Sequence, residues 1–180
     1  SELGRILMEG SLYRGAKPVM WSPVEKTALA EAEIEYQDHT SVTIYARFAV
    51  TKPSHSALEG ANIIIWTTTP WTMPGNRAMA CGADIDYSVL RITGLADNAL
   101  AKDGDIICLA SELVEEVTSA IGITGTQTLA TLKGTDIAGT ISHHPMHGHG
   151  YDHEVPMLLA DYVTTDQGTG FVHIAPGHGV

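Results

Sequence analysis

The sequence predicts an α+β fold that is mainly β, with a β-barrel-like core and peripheral helices. Short runs of β-branched, aromatic and aliphatic residues recur along the chain, separated by glycine, aspartate and proline turn signals. Few segments have the spacing of an amphipathic helix. The 180 residues can bury one substantial core, so we expect a single domain over 1–180, with residues 1–20 as a leading linker.

The first elements follow from helix signals. Apolar residues at helical spacing stop at Gly10, so residues 2–10 are expected to form the end of a helix. An extended stretch follows over 17–21. Ser22 can cap a helix, the next residue is proline, and glutamate stands at the capping-box position. These signals predict a helix over 23–33.

The remaining chain is dominated by strand signals. A polar loop is expected over 52–60, and two prolines predict an irregular turn over 70–76. Ser111 is expected to cap a helix over 111–121, which Gly122 ends. Strands are predicted where apolar or β-branched runs occur, over 34–50, 61–68, 78–81, 87–92, 106–109, 126–132, 155–162 and 170–175.

Charge and hydropathy exclude several classes of protein. The net charge is −11 and only ten residues are lysine or arginine, which argues against electrostatic capture of a long nucleic-acid backbone. If RNA is the substrate, other parts of a larger protein must bring it. The longest apolar runs are far too short to cross a bilayer, so no membrane association is expected.

Cysteine usage and the amino terminus bear on compartment and completeness. Cys81 and Cys108 are far apart and lack a C-x-x-C partner, which favours a reducing compartment and neither a disulfide framework nor a thiolate zinc site. We therefore expect the cytoplasm, or the mitochondrial matrix for an organellar protein. The chain opens without a signal peptide or an initiator methionine, so we expect a fragment of a longer protein.

The first segment that can carry chemistry spans residues 66–76. Three consecutive threonines can donate and accept hydrogen bonds, and Pro70 and Pro74 fix the backbone around them. The segment could therefore present hydroxyls and amides to a small polar ligand. A β-branched strand end followed by a proline turn is the structural alternative.

The second segment spans residues 168–179. Its glycines allow a ligand to approach the backbone closely, and strand alternation places His173 on the same face as Phe171. His173 is a candidate functional residue, although a histidine on such a face is more often a satisfied core residue.

A histidine-rich stretch offers a competing site. Close-set histidines can bind zinc or nickel, but the intervening glycine and proline favour a solvated loop. No G-x-S-x-G nucleophile motif or phosphate-binding loop is present. The histidines in question are His143, His144, His147, His149 and His153.

Taken together, the two segments resemble a known family. WTTTPWTMPGNRA (66–78) and GTGFVHIAPGHG (168–179) look like the two editing motifs of isoleucyl-tRNA synthetases, and residues 12–36 are similar to the start of that family's editing insertion. The leucine and valine enzymes typically have arginine after the threonines, where this chain has Pro70, and the valine enzyme has lysine in place of His173.

The resemblance implies a β-barrel-like editing domain of the Val/Leu/Ile-tRNA synthetase type, inserted in a larger class I synthetase. Its expected reaction is hydrolysis of valyl-tRNA(Ile) at the 3′ end of the tRNA. Valyl-adenylate, which is not attached to tRNA, is a further candidate substrate. The H-I-G-H and K-M-S-K-S signatures of the synthetic site are absent. No cofactor is expected in this domain, whereas the parent enzyme would use ATP and Mg.

The resemblance also implies site residues. No metal is expected, because Ser22 and Glu25 stand where some relatives have a zinc knuckle. Separately, the chain ends before the position at which many relatives have a further motif aspartate. A noncatalytic tRNA-docking insert and a metal-binding module built on the histidines remain alternatives. The implied catalytic residues are Thr67, Thr68, Thr69 and His173, and the implied substrate-binding residues are Trp66, Asn76, Gly168, Gly170 and Phe171.

Overall fold

The structure, a computed structural model, describes residues 2–16, 18–97 and 99–177. They form two compact units that divide between residues 39 and 40. Residue 17 of the predicted extended stretch and residues 178 and 179 of the second motif lie outside the described residues. No helix within the described ranges is long and apolar enough to span a membrane.

The first unit contains one helix, α1, over Glu2–Met8 among its described residues, as predicted. The helix predicted over 23–33 is wrong. Strands β1 and β2 form a small antiparallel hairpin there instead, and only a single 3-10 turn, Glu31–Glu33, follows. The two strands are Trp21–Ser22 and Thr27–Ala28.

The hairpin forms because the capping signal of Ser22 closes a turn. The Glu25 amide donates to the Ser22 hydroxyl, which in turn donates to the Glu25 carboxylate. Lys26 then adopts a left-handed backbone conformation with φ of 57°, which stops a right-handed helix. Its amide still donates to the Ser22 carbonyl at 2.8 Å, so the chain reverses after one turn.

The second unit is a curved mixed sheet with two short helices among its described residues. The helices are α2, Val114–Ala120, and α3, Gly134–Ile137. The strands are β3 Ile44–Lys52, β4 Ala61–Thr67, β5 Ala78–Cys81, β6 Asp86–Leu95, β7 Ile106–Ala110, β8 Ile123–Lys133, β9 Ile141–His143, β10 Glu154–Leu159 and β11 Phe171–Ile174.

The sheet curls so that its first strand approaches its far half. The strand order is β11-β5-β10-β9-β3-β4-β7-β6-β8. Nevertheless, the Ala110 amide at the end of β7 donates to the Thr169 carbonyl at 2.9 Å, just before β11. The Tyr87 hydroxyl on β6 likewise donates to the Gly170 carbonyl at 2.6 Å. These contacts confirm the predicted mainly β, barrel-like fold.

Two element predictions needed correction in the second unit. The strand predicted over 34–50 begins only at Ile44, where pairing with Thr67 of β4 starts; before it the chain is exposed, with Val42 73% accessible. Ser111 does not cap a helix, because its hydroxyl bonds to Ser88 at 2.8 Å and a 3-10 turn precedes α2. Gly122, with φ of 76°, follows α2 as expected.

Candidate active site

The first half of the site forms where β4 ends. Strand β4 is almost entirely buried, and its last residue, Thr67, uses its hydroxyl to accept the Thr69 amide at 3.1 Å. Residues Pro70–Gly75 then form a 3-10 turn, here called the proline turn. The Thr72 amide and hydroxyl both donate to the Thr69 carbonyl, at 3.0 and 2.8 Å. Local hydroxyl bonds therefore hold the threonine run in one shape.

The second half of the site is His173 on β11. This strand pairs antiparallel with β5, opposite Met79, and brings the imidazole against the proline turn. The ring Nε2 lies 2.8 Å from the Thr72 hydroxyl, and Nδ1 lies 3.0 Å from Asn76 Nδ2. The two motifs, about a hundred residues apart in sequence, thus meet through direct hydrogen bonds.

The contacts of Asn76 determine the tautomer of His173. Asn76 Nδ2 also donates to the Ala78 carbonyl at 2.9 Å, which fixes the amide orientation. Its second hydrogen therefore points to His173 Nδ1, which must accept. Nε2 then carries the ring hydrogen and donates to Thr72, whose own hydrogen goes to the Thr69 carbonyl. Three side chains form one directed chain of hydrogen bonds.

These elements surround a cavity of about 360 Å³. Of the nine predicted site residues, eight line this cavity, and the fully buried Asn76 stands behind His173. The eight are Trp66, Thr67, Thr68, Thr69, Gly168, Gly170, Phe171 and His173.

The cavity walls differ in character. Thr68 is exposed toward solvent, whereas Thr67 is buried. Phe171 is only 3% exposed and stacks on Tyr87 with ring centroids 4.4 Å apart, so most of its ring belongs to the core. Gly168 lies against Trp66, since an added Cβ would stand 3.5 Å from the indole. The Trp66 ring and the glycine backbone therefore form one wall.

Sequence reasoning missed several lining residues. Thr72 lies inside the first motif, and its spacing of three residues from Thr69 across a proline turn was the available signal. Tyr162, Thr164 and Gln167 line the cavity from the loop before β11. They carry no local motif, because only the long-range pairing of β11 brings their loop to the threonines.

A larger cavity, of about 600 Å³, shares none of the predicted residues. Its walls are mainly aliphatic side chains of β3, β4 and β7 and of the turn after α2. Arg47 and Asp105 line it and approach each other to 3.7 Å. It lacks the converging hydroxyls of the smaller cavity, so we assign the site to the smaller one.

The histidine-rich stretch is the predicted solvated loop only in its middle, where His147 and His149 are exposed. His144 is 1% exposed, and its Nε2 lies 2.8 Å from the Met73 carbonyl of the proline turn. His153 is half-buried, with Nε2 2.9 Å from the Asn76 carbonyl. The prediction failed at these two histidines because the ends of the loop between β9 and β10 pack under the proline turn, which no local pattern indicates. Among the described residues, no three histidine, cysteine or acidic side chains converge as a metal site would require.

Burial lowers the pKa of His144 from its usual 6.5, and the nearby His153 and Arg77 lower it further, against the opposing bond to the Met73 carbonyl. Stability from the neutral ring is therefore present above pH 6.5 and is lost as the pH falls toward the lowered pKa. We expect the free energy of unfolding to decrease by up to about 1.4 kcal/mol per pH unit below 6.5 from this one proton. Urea unfolding between pH 7.5 and 5.5 measures the slope. A slope unchanged in His144→Gln would contradict this assignment.

Neither cysteine can act as a nucleophile here. Burial raises the pKa of the Cys81 thiol to about 11 and raises that of Cys108 further. Both side chains lie in the core and neither lines the cavity. Any reaction in the cavity must therefore use its hydroxyls, its backbone groups, His173 or bound water.

Comparisons with known proteins identify the family of this chain. The family of tRNA synthetases class I (I, L, M and V) matches residues 1–172. An isoleucine–tRNA ligase of Gluconobacter oxydans is 52% identical over 99% of this chain and 19% of its own length. One from Bradyrhizobium diazoefficiens is 48% identical over 99% of this chain and 18% of its own length. The chain thus spans about a fifth of the curated relatives that it matches.

Solved structures match in fold. The crystal structure of GlLeuRS-CP1 has a TM-score of 0.57 at 14% identity, covering 73% of this chain and 54% of that one. The Plasmodium knowlesi cytosolic leucyl-tRNA synthetase editing domain has a TM-score of 0.54 at 11% identity, covering 73% and 55%. Both the predicted fold and the resemblance to isoleucyl-tRNA synthetases are confirmed. The chain belongs to the class I tRNA synthetases of the I, L, M and V group.

Proposed function

We propose that the smaller cavity hydrolyses the ester that joins valine to the terminal adenosine of tRNA(Ile). One observation carries the proposal: the threonine run and His173 converge on one cavity, in a fold similar to that of leucyl-tRNA synthetase editing domains. Valyl-adenylate, which carries the same valyl group, is the second substrate proposed for this cavity.

The chemistry needs little beyond positioning. An aminoacyl ester is already activated, so a held water can attack its carbonyl carbon without a covalent enzyme intermediate. The carbon–oxygen bond to the ribose breaks, and the water proton passes to the ribose oxygen. Free valine and uncharged tRNA result. The exposed hydroxyl of Thr68 and the partly buried one of Thr69 are the groups that can orient this water and the ribose.

His173 supports the selection of valine over isoleucine. Its two ring nitrogens contact Thr72 and Asn76, so the imidazole is a fixed part of the cavity wall. A fixed wall excludes a larger side chain by overlap, which costs about 1–3 kcal/mol when packing is tight. Such exclusion complements a synthetic site in which one methylene supplies only about 1–3 kcal/mol, a magnitude known from isoleucyl-tRNA synthetase itself.

The rest of the substrate requires other partners. With a net charge of −11, this chain presents few cations to a tRNA backbone. We propose that the remaining domains of a longer synthetase deliver the 3′ end, and that ATP and Mg²⁺ serve those domains. The cavity itself needs no cofactor for ester hydrolysis.

Deacylation of valyl-tRNA(Ile) tests the proposal. The chain is assayed alone and in place of the equivalent segment of the Gluconobacter oxydans ligase, with isoleucyl-tRNA(Ile) as the matched substrate. We expect valine to be released about tenfold to a hundredfold faster than isoleucine, as exclusion of one methylene predicts. Binding of both tRNAs with hydrolysis of neither, in the chimera as well, would show a noncatalytic docking insert.

A further inference from the structure

The ends of the loop between β9 and β10 each place a histidine under the proline turn. His144 directly follows β9 and His153 directly precedes β10. Their Nε2 atoms approach the carbonyls of Met73 and Asn76 at 2.8 and 2.9 Å. Carbonyl oxygens only accept hydrogen bonds, so both Nε2 atoms must carry hydrogen.

The His144 ring is held on several sides. The Met146 amide donates to His144 Nδ1 at 3.0 Å, so the ring is neutral with its hydrogen on Nε2. Tyr151 stacks on it with ring centroids 5.1 Å apart, and Phe48 packs edge-on. A ring fixed in this way offers a donor in one direction only.

The Met73 and Asn76 carbonyls lie at the two ends of the segment 73–76, and Asn76 of this segment bonds to His173. The Met73 carbonyl also accepts the Asn76 amide at 3.0 Å, which is the closing bond of the proline turn. Asn76 then donates through Nδ2 to His173, while its buried Oδ1 has no hydrogen-bond partner among the described residues. The orientation of the Asn76 side chain therefore depends on the bonds of its Nδ2 and on the backbone at Met73 and Asn76, which His144 and His153 contact.

We propose that His144 and His153 are positioning residues for the editing cavity. They fix the backbone at Met73 and Asn76, so that Asn76 holds the His173 ring with Nδ1 as acceptor and Nε2 as donor. The proposal rests on the proposed function for its catalytic readout. The histidine-rich stretch thereby contributes to selection between side chains without touching the substrate.

Two alternative substitutions of His153 by amide side chains test the proposal. The amide nitrogen of glutamine stands the same number of bonds from the backbone as histidine Nε2, whereas that of asparagine is one bond closer. His153→Gln is therefore expected to keep the bond to the Asn76 carbonyl, and His153→Asn to lose it. His149→Asn, at an exposed histidine of the same loop, is the matched control.

Two readouts are taken. The first is the ratio of valyl- to isoleucyl-tRNA(Ile) deacylation, which we expect to fall about fivefold to tenfold in His153→Asn, the effect of one lost hydrogen bond. His153→Gln and the control should remain near the parent ratio. The second is the nitrogen chemical shifts of the His173 ring in isotope-labelled protein, which should lose the fixed Nε2–H tautomer signature only in His153→Asn.

The outcomes separate the two proposals. If neither the unsubstituted chain nor its chimera with the Gluconobacter oxydans ligase releases valine, the proposed function fails, and the ring shifts alone still decide the positioning role. If it releases valine and His153→Asn changes neither the ratio nor the shifts, the positioning role is overturned while the function stands. The same Gln and Asn pair at His144, read by the same shifts, gives an independent second test.

Discussion

Replacing His173 with alanine is expected to abolish most of the discrimination between valyl- and isoleucyl-tRNA(Ile). The imidazole is the wall that Thr72 and Asn76 hold in place, at 2.8 and 3.0 Å. Without it, the cavity gains room for the extra methylene of isoleucine. We expect the ratio of deacylation rates to fall about tenfold to a hundredfold, the size of a lost exclusion of 1–3 kcal/mol.

A milder variant removes a hydrogen bond that supports the His173 ring and leaves the ring in place. Thr72→Val keeps the volume of the buried Thr72 side chain but removes the hydroxyl that accepts from His173 Nε2. We expect a smaller loss of selectivity than in His173→Ala, because the ring and its bond to Asn76 remain, although the Thr72 bond to the Thr69 carbonyl is lost as well. His149→Ala, at an exposed position away from the cavity, controls for the loss of a histidine.

Single-turnover deacylation of valyl- and isoleucyl-tRNA(Ile) measures the loss of discrimination in His173→Ala. The prediction requires isoleucyl-tRNA hydrolysis to rise in His173→Ala, because exclusion is what the ring provides. A large loss on valyl-tRNA with no rise on isoleucyl-tRNA would assign His173 to the hydrolytic step instead. The hydrogen-bond chain through Thr72 and Asn76 would then position a reacting group rather than a wall.

The sequence predicts those parts of the site that depend on residues close together in the chain. An apolar run that ends in threonines, followed by Pro70, indicates a buried strand and a sharp turn, and β4 and the proline turn have these positions. Glycines around Phe171 and His173 likewise indicate close backbone approach. Such signals act over a few residues, so one sequence suffices to read them.

The missed features depend on contacts between distant segments. His144 and His153 are identified as supports only when the loop before β10 is packed under a turn some seventy residues earlier. The helix predicted from Ser22 fails for a different reason: the same side-chain bonds serve a helix cap or a reversed turn, and Lys26 decides between them. Local propensity alone does not resolve that choice.

The two motifs need each other to form a cavity. The threonine run has the hydroxyls, but its shape is completed only when β11 pairs with β5 and brings His173 to Thr72. This explains why each segment alone is ambiguous and the pair is specific. The site is preorganised by bonds that cross the sheet, so changes in the placement of β11 should affect it directly.

Gly170→Ala, immediately before β11, tests how closely that strand is held and is expected to be among the most destabilising single substitutions in the second unit. Gly170 has φ of +75°, and an added Cβ would stand 2.3 Å from the Ala110 Cβ. Ala110 is fully buried and its side chain has no rotamer with which to move away. We expect the free energy of unfolding to fall by about 3 kcal/mol, from overlap and left-handed strain together.

Two further variants separate the steric overlap with Ala110 from the strain of the left-handed backbone. Gly60 has a similar φ of +71° with nothing within 4 Å of an added Cβ, so Gly60→Ala carries only the backbone strain, about 1–2 kcal/mol. Combining Gly170→Ala with Ala110→Gly removes the contacting atom and should recover more than 1 kcal/mol relative to the sum of the two single changes. Urea unfolding of the set measures these differences. If Gly170→Ala were no worse than Gly60→Ala, β11 would not be held against β7 as closely as the Ala110–Thr169 bond indicates. The position of His173 would then rest only on the β5 pairing and on the bonds to Thr72 and Asn76.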